Sequence, residues 1–311
     1  MGFEARFGLQ QRESGHTTGA PAQHIASCFA SYAFVVDVST DEQIAYLRKL
    51  QKTCMHPFAN RFDEALGLYS PLSLAEMDAV RLLRRTDTKY LMSETQLADA
   101  LHVLRNDFDV LCIDNRRSAR YETLYFDHGA LSLYFAHHSQ KVQRHKVRMR
   151  AYVDSGLAFL EVKLKRKGQT DKRRLPVPRI SSELSPEHLQ FLSAQGIRSD
   201  GLAPSLFNAF DRITLVNRAR TERLTLDWNI VVAAPGEADA PMAWQGVCIA
   251  ELKQSGLDRR SPFAQWAKAQ QIRPERISKY CMGLADTRPG LKSNRFKAKR
   301  RKLSQLTAHA V

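Results

Sequence analysis

Four stretches of this chain place charge on one strand face and apolar residues on the other. From Arg144, the residues Arg144, Lys146, Arg148, Arg150 and Tyr152 share one parity, and Val147, Met149, Ala151 and Val153 take the other. Phe159, Glu161, Lys163 and Lys165 then alternate with Leu160, Val162 and Leu164. Arg223, Thr225, Asp227 and Asn229 alternate with Leu224, Leu226, Trp228 and Ile230, and Glu251 and Lys253 oppose Cys248, Ala250 and Leu252. Period-two alternation specifies β-strands with unlike faces. Neighbouring cations about 6 Å apart repel by about 3 kcal/mol at an effective dielectric near 20. A sheet that gathers Lys and Arg on one face therefore calls for a polyanion, and the interspersed carboxylates suggest a metal accompanying it.

The wider composition agrees. The 311-residue chain carries 47 Lys and Arg against 32 Asp and Glu, a net charge of +15. That excess points to phosphate-bearing partners and leaves nucleic acid, nucleotide, polyphosphate and anionic membrane open. Cys28, Cys54, Cys112, Cys248 and Cys281 contain no Cys-x-x-Cys pair, which favours packing thiols in a reduced compartment. The start lacks a cationic segment followed by an apolar one, and the longest apolar stretch, 25–38, falls short of a membrane span. The expectation is a soluble cytoplasmic protein.

Residues 1–69 read as an N-terminal extension without sustained periodicity, apart from a weakly helical 41–52. Capping boxes at Ser73/Glu76 and Ser93/Gln96 predict helices over 74–83 and from 94, the second with Leu97, Leu101, Leu104 and Phe108 on one stripe. Strands are expected at 121–127, 131–136, 144–153, 158–166, 211–218, 222–232 and 246–253. Helices are expected at 186–195, 262–271 and 275–285. Residues 289–311 form a basic tail in which 292–302 holds no acid. It reads as a disordered solvated segment or as an anchor to a phosphate-rich or membrane surface. His128, His137, His138 and His145 lack zinc-site spacing and read as surface residues near turns. No Walker loop, dinucleotide fingerprint, metalloprotease helix or nucleophile elbow appears, so phosphate would be held by side chains.

In order, the segments Arg85–Tyr90, Tyr125–Asp127, Lys146–Tyr152, Phe159–Lys163, Asn217–Arg218, Arg223–Asp227, Glu251–Lys253 and Ser278–Tyr280 resemble the vacuolar transporter chaperone (VTC) domain. That domain is the polyphosphate-polymerase branch of the triphosphate tunnel metalloenzymes. The resemblance implies an α+β fold over 70–288, an antiparallel β-barrel tunnel with helices packed outside and the charged face lining the tunnel. It implies that Lys89, Lys146, Arg148, Arg150, Lys163, Arg218, Arg223 and Lys253 grip a triphosphate. Ser278 and Lys279, with Arg148 and Arg150, would organise phosphoryl transfer, and Glu251 would bind Mn²⁺ or Mg²⁺, with Glu161 and Asp227 as weaker metal candidates. Two departures, Val216 where an aromatic is common and Trp228 where a Thr is common, remove no charge.

The activity implied is phosphoryl transfer from ATP to a growing inorganic polyphosphate chain. Two alternatives stay open: a tunnel triphosphatase acting on triphosphate or nucleoside triphosphates, and a non-catalytic module binding polyphosphate, nucleotide or RNA. ATP and polyphosphate or triphosphate are the expected partners, and the basic tail offers a contact to the inner face of a membrane or to a membrane protein. Specific nucleic-acid binding is not expected.

Overall fold

A computed structural model describes residues 62–79, 86–166, 169–235 and 241–308. The expected helix at 41–52 and residues 80–83 of the expected helix after Ser73 lie outside them. Strands and helices are numbered in chain order among the described residues. The strands are β1 (Pro71–Leu72), β2 (Thr86–Ser93), β3 (Phe108–Leu111), β4 (Ala119–His128), β5 (Arg144–Tyr152), β6 (Leu157–Arg166), β7 (Gln169–Val177), β8 (Leu202–Asn217), β9 (Glu222–Ala233), β10 (Met242–Trp244) and β11 (Val247–Gln254). The helices are α1 (Asp63–Gly67), α2 (Leu74–Ala79), α3 (Glu94–Leu104), α4 (Ser132–His138), α5 (Pro186–Ala194), α6 (Pro262–Ala269), α7 (Lys279–Thr287) and α8 (Lys297–Ala308).

One antiparallel path, β2-β11-β9-β8-β4-β5-β6-β7, carries the fold. Five strands separate β2 from β7's neighbour β6 along that path, yet the charge of Lys89 on β2 acts on Lys163 and Lys165 of β6. The sheet is therefore curled into a half-barrel, and its concave face carries the charged parity. Register confirms which residues share that face: Lys89↔Glu251↔Thr225, Arg212↔Asp227, Thr123↔Arg150, Arg148↔Glu161 and Lys146↔Lys163 are cross-strand partners.

The convex face is apolar and covered by helices. Tyr90, Met92, Leu224, Leu226 and Trp228 pack with Leu97, Leu101 and Leu104 of α3 and Phe263 and Trp266 of α6. Leu124, Val147, Met149, Leu160 and Val162 pack with Ile180, Leu192 and Ile197 around α5. The box at Ser93 closes reciprocally with Gln96, each side chain meeting the other's backbone amide at 3.0 Å. Ser73 and Glu76 pair in the same way at the start of α2.

α7 departs from the expectation that the helices lie outside. It packs on the concave side, where Tyr280, Cys281 and Leu284 join Leu91, Leu206, Phe210, Ile230, Val232 and Ile249. Gly283 permits this approach, because a Cβ there would lie 2.7 Å from Leu206 Cδ2 and 3.1 Å from Val232 Cγ1. The strands also change phase to meet it. Asn229 takes φ +52° and the β8–β9 register shifts between Ala209 and Asp211, so Ile230 joins Asp227's face instead of opposing it.

Several other expectations are corrected. Residues 131–136 are not a strand: Asp127 accepts the amides of Leu133 and Tyr134, Leu131 adopts φ +51°, and the chain turns into α4. Tyr134 and His138, four apart, are the buried positions, a helical spacing that six residues of alternation concealed. β7 was not expected, since Pro176 and Pro178 obscure its pattern, and β8 begins nine residues before the anticipated start. The basic tail contains α8, anchored by buried Leu303 and by Arg300–Asp286 and Lys302–Glu275 ion pairs. The third C-terminal helix starts only at Lys279, capped by Ser278. Among the histidines, His138 is buried against Asn294 Oδ1 at 2.8 Å and His137 meets the His145 carbonyl at 3.0 Å. Cys112, Cys248 and Cys281 are free thiols. Among the described residues no helix is long and apolar enough to cross a membrane.

Candidate functional site

The charged half of the concave face is organised around three carboxylates, each held between cations. Glu161, 1% exposed, accepts Arg148 Nε at 2.8 Å and also pairs with Lys172 of β7. Asp227 receives a two-pronged contact from Arg212, Nε at 2.5 Å and the second guanidinium nitrogen at 2.8 Å, and pairs with Lys279. Glu251 bridges Lys89 at 3.3 Å and Lys253. Further cations have no carboxylate of their own. Arg150, 7% exposed, donates to Thr123 Oγ1 at 3.1 Å and lies 5.6 Å from the rings of Tyr121 and Phe210. Lys146 donates to Ser278 Oγ at 2.7 Å. Lys163 makes no ion pair or hydrogen bond among the described residues, although Glu251's charge acts on it.

Burial at this positive excess displaces the titrations. Desolvation, then Lys89, depresses the Lys163 ammonium to about 7. Burial lowers Lys172, Lys253 and Lys279 to about 8, only partly offset by Glu161, Glu251 and Asp227 respectively. Burial alone would raise the Glu161 carboxyl, but Arg148, Arg150 and Lys172 outweigh it and hold the group at about 2. Glu251 is likewise held well below the carboxylate range by Lys89 and Lys253 against its desolvation. Burial pushes the Tyr125 phenol up, yet Arg148, Arg150 and Lys146 bring it down to about 8. An ordinary exposed strand face would show none of this: these cations are compressed against one another in a region largely closed to water. Such an arrangement can accommodate a multiply charged anion.

A family model fits this chain. The VTC domain matches residues 84–288, which spans the curled sheet, its covering helices and α7. The chain belongs to the VTC-domain family. None of the curated proteins matches it. Among solved structures, a proposed adenylate cyclase from Bacillus halodurans is similar at 14% identity and TM-score 0.40, covering 63% of this chain and 94% of that one. A second from Vibrio parahaemolyticus gives 13%, 0.36, 63% and 95%, and a protein from Pyrococcus horikoshii 12%, 0.37, 65% and 99%. VTC-domain membership supports an activity directed at nucleoside triphosphates or polyphosphate, and a fold that works with a divalent metal.

Most residues singled out in this VTC domain's sequence meet in the cage: Lys89, Lys146, Arg148, Arg150, Lys163, Lys253, Lys279 and Ser278, with Glu161, Asp227 and Glu251. Arg223 stands on the same face, opposite Lys253. Arg218 does not join them. It follows β8 in the turn to β9, its side chain is 57% exposed, and it lies 3.8 Å from Asp109 of β3. Arg212 and Lys172 are cage members that the sequence reading missed. Arg212 stands alone among Phe210, Thr214 and Val216 rather than in a cationic run, and Lys172 sits in the strand that prolines disguised.

The donor set also bears on a metal. Among the described residues no three acidic, histidine or cysteine side chains converge on one point. Mg²⁺ characteristically takes one or two carboxylates and completes its shell with water and substrate phosphate. Glu251 fits that role best, because its side chain is 15% exposed whereas Glu161 and Asp227 are at 1% and 5%. Its present partners are lysines that a phosphate could engage in its place.

Proposed function

We propose that this VTC domain transfers the γ-phosphoryl of ATP to the end of an inorganic polyphosphate chain inside the cage. The observation that carries the reading is the buried excess of cations on the concave face, which no set of local carboxylates balances. Arg148, Arg150, Arg212 and Arg223 would bind equatorial and bridging oxygens with fixed charge and forked geometry. Lys89, Lys146, Lys163 and Lys253 would follow the chain, and Lys163 and Lys253, whose ammonium groups burial depresses, would recover protons when phosphate approaches. Lys279, beside Asp227 and 4.2 Å from the Phe210 ring, would stand at the transferring group, with Ser278 and Lys146 fixing its neighbourhood.

The terminal oxygen of the acceptor chain attacks the γ-phosphorus, the bond to the β-γ bridging oxygen breaks, and ADP leaves with that oxygen's electron pair. The acceptor is already anionic, so the step needs no strong general base and depends on alignment and charge neutralisation. Glu251 would hold Mn²⁺ or Mg²⁺, which supplies further neutralisation at phosphate oxygens.

The test is incubation with ATP and either metal, with products resolved on a gel stained for polyphosphate. A ladder of chains is expected. Orthophosphate without a ladder overturns synthesis in favour of hydrolysis, and tight tripolyphosphate binding with no turnover leaves a binding module. Two substitutions divide grip from chemistry. Arg150→Ala should weaken tripolyphosphate binding about tenfold or more and lower turnover with it. Glu251→Gln should retain binding while turnover falls by about a hundredfold or more, and full activity there across a metal titration would reduce Glu251 to an ion-pair partner.

A further inference from the structure

The two ends of the cage differ in a way that assigns them different tasks. Along β5 and β6, Tyr152↔Leu157 marks one end and Arg144↔Lys165 the other, about 26 Å apart at 3.3 Å per residue. At the Tyr152 end two of the arginines are matched by carboxylates. Arg116 pairs with Asp154 at 2.6 Å, Arg120 pairs with Asp211 at 3.1 Å, and Arg117 donates to the Leu66 carbonyl at 2.7 Å. These arginines line a small cavity together with the rings of Tyr121 and Tyr152.

The cations of the opposite end are held by no such carboxylate pairing among the described residues. Arg144 and Lys165 share the parity of Lys146 and Lys163, so they continue the cationic row outward. Arg144 donates to the Lys141 carbonyl at 2.7 Å, and among the described residues no ion pair holds it, Lys165 or Arg276. Their fields converge: partial burial, then Arg144 and Arg276, depress the Lys165 ammonium, against a smaller opposing effect from Asp87. Arg276 belongs to the segment running from the Tyr90–Pro274 bridge to Ser278 and Lys279, which ties this rim to the cage itself. Like charges held together in excess of the Asp87 carboxylate favour an extended polyanion, since each phosphate bound relieves their repulsion.

We infer that the Arg144–Lys165–Arg276 rim is the mouth through which a polyphosphate chain extends from the cage, while the Tyr152 end does not hold the chain. This rests on the reading that the cage takes polyphosphate, and it adds a direction to that reading. Chain units beyond those held by Lys146 and Lys163 would pass over Lys165 and Arg144 and reach Arg276 at the surface. A triphosphate short enough to be enclosed would not touch the rim.

The experiment compares tripolyphosphate with long-chain polyphosphate in direct binding to the full chain. The variants are Arg144→Ala/Lys165→Ala/Arg276→Ala and, at the other end, Arg116→Ala/Arg117→Ala. The unaltered protein should bind the long chain more tightly than tripolyphosphate. The rim variant should lose about tenfold or more in long-chain affinity and show a shallower salt dependence, with tripolyphosphate affinity within about twofold. The opposite-end variant should keep the long-chain preference. The inference is overturned if the rim variant binds long chain like the unaltered protein, if both ligands weaken equally, or if the loss follows the Tyr152 end instead. Failure of the polymerase reading shows elsewhere, as a protein that makes no ladder. Long-chain binding through the rim can be scored whether or not synthesis occurs.

Discussion

The same concave face supports two interiors. Toward β5, β6 and the start of β9 it is a cage of Arg148, Arg150, Lys163, Arg212 and Asp227, whereas toward α7 it is an apolar core of Leu206, Ile230, Val232 and Ile249. Asp227 and Ile230 lie on that face three residues apart on one strand, separated by the bulge at Asn229. Burial alone does not distinguish the halves, since Asp227 is 3% exposed and Ile230 1%. The partner does. α7 offers Tyr280, Cys281 and Leu284 to the apolar half and sends Lys279, from its first turn, into the cage. A helix that fills one half and stops short of the other leaves a charged chamber with one closed wall.

Exchanging the halves should produce the largest effects. Ile230→Asp places an unpaired carboxylate against α7 and should cost about 3 to 5 kcal/mol in urea unfolding. Asp227→Ile leaves Arg212 and Lys279 without their anion and should cost a similar amount. The two should respond differently to ligand. Tripolyphosphate should recover much of the Asp227→Ile loss by supplying the missing negative charge and none of the Ile230→Asp loss. Equal recovery in both would show that the halves are not electrostatically distinct.

Glu161→Gln sharpens the point within the cage. Arg148 and Lys172 lose their buried counterion, and the unliganded protein should be destabilised by about 3 kcal/mol. The melting-temperature gain on adding tripolyphosphate should exceed that of the unaltered protein, because more repulsion remains to be relieved. A smaller gain would indicate that Glu161 helps shape the anion site instead of competing with the anion.

The sequence made one of these halves far more legible than the other. Alternation in 144–152 and 157–166 announces strands, and eight ordered segments resembling the VTC domain bring most cage residues together, because charge on a two-residue period leaves few foldings open. The apolar half was hidden by three local devices. Asn229 takes a left-handed conformation that shifts parity after Asp227, Gly283 admits a close helix, and Asp127 caps α4 from across a turn. None is a periodic signal, and those at Asn229 and Gly283 depend on partners distant in sequence. Arg218 illustrates the converse. Its place beside Asn217 matches the family motif, but the register ends β8 one residue earlier and leaves the guanidinium at the rim with Asp109.

Titration offers a graded probe of the cage. Lys163 near 7 and Lys172, Lys253 and Lys279 near 8 lie below lysine's ordinary 10.5, so above about 7 the unfolded chain binds more protons than the folded one. Stability without ligand should therefore rise with pH through that window, with the same sign as at Glu161, whose contribution is lost as pH falls from 4.5 to about 2. Tripolyphosphate restores charge to these lysines, so binding near pH 8 should take up protons. Calorimetry in buffers of different ionisation enthalpy measures this uptake. Its absence would mean that the lysines are already charged before ligand arrives.

The smallest expected effect concerns the border between the halves. Asn208 on β8 is fully buried opposite Thr123, which itself accepts Arg150, yet neither its amide nitrogen nor its oxygen has a hydrogen-bond partner among the described residues. A buried amide left unsatisfied costs about 1 to 3 kcal/mol, and an apolar replacement of similar size removes that cost. Asn208→Leu should accordingly stabilise the unliganded protein by about 1 kcal/mol, a shift of a few degrees in melting temperature. If Asn208 belongs to the apolar half, tripolyphosphate affinity will be unchanged and the side chain is a tolerated defect. If it belongs to the cage, its amide is the donor that a phosphate oxygen or its bound water reaches beside Arg150, and affinity should fall several-fold even as stability rises. Opposite signs in the two measurements would place the boundary of the chamber on the apolar side of Asn208.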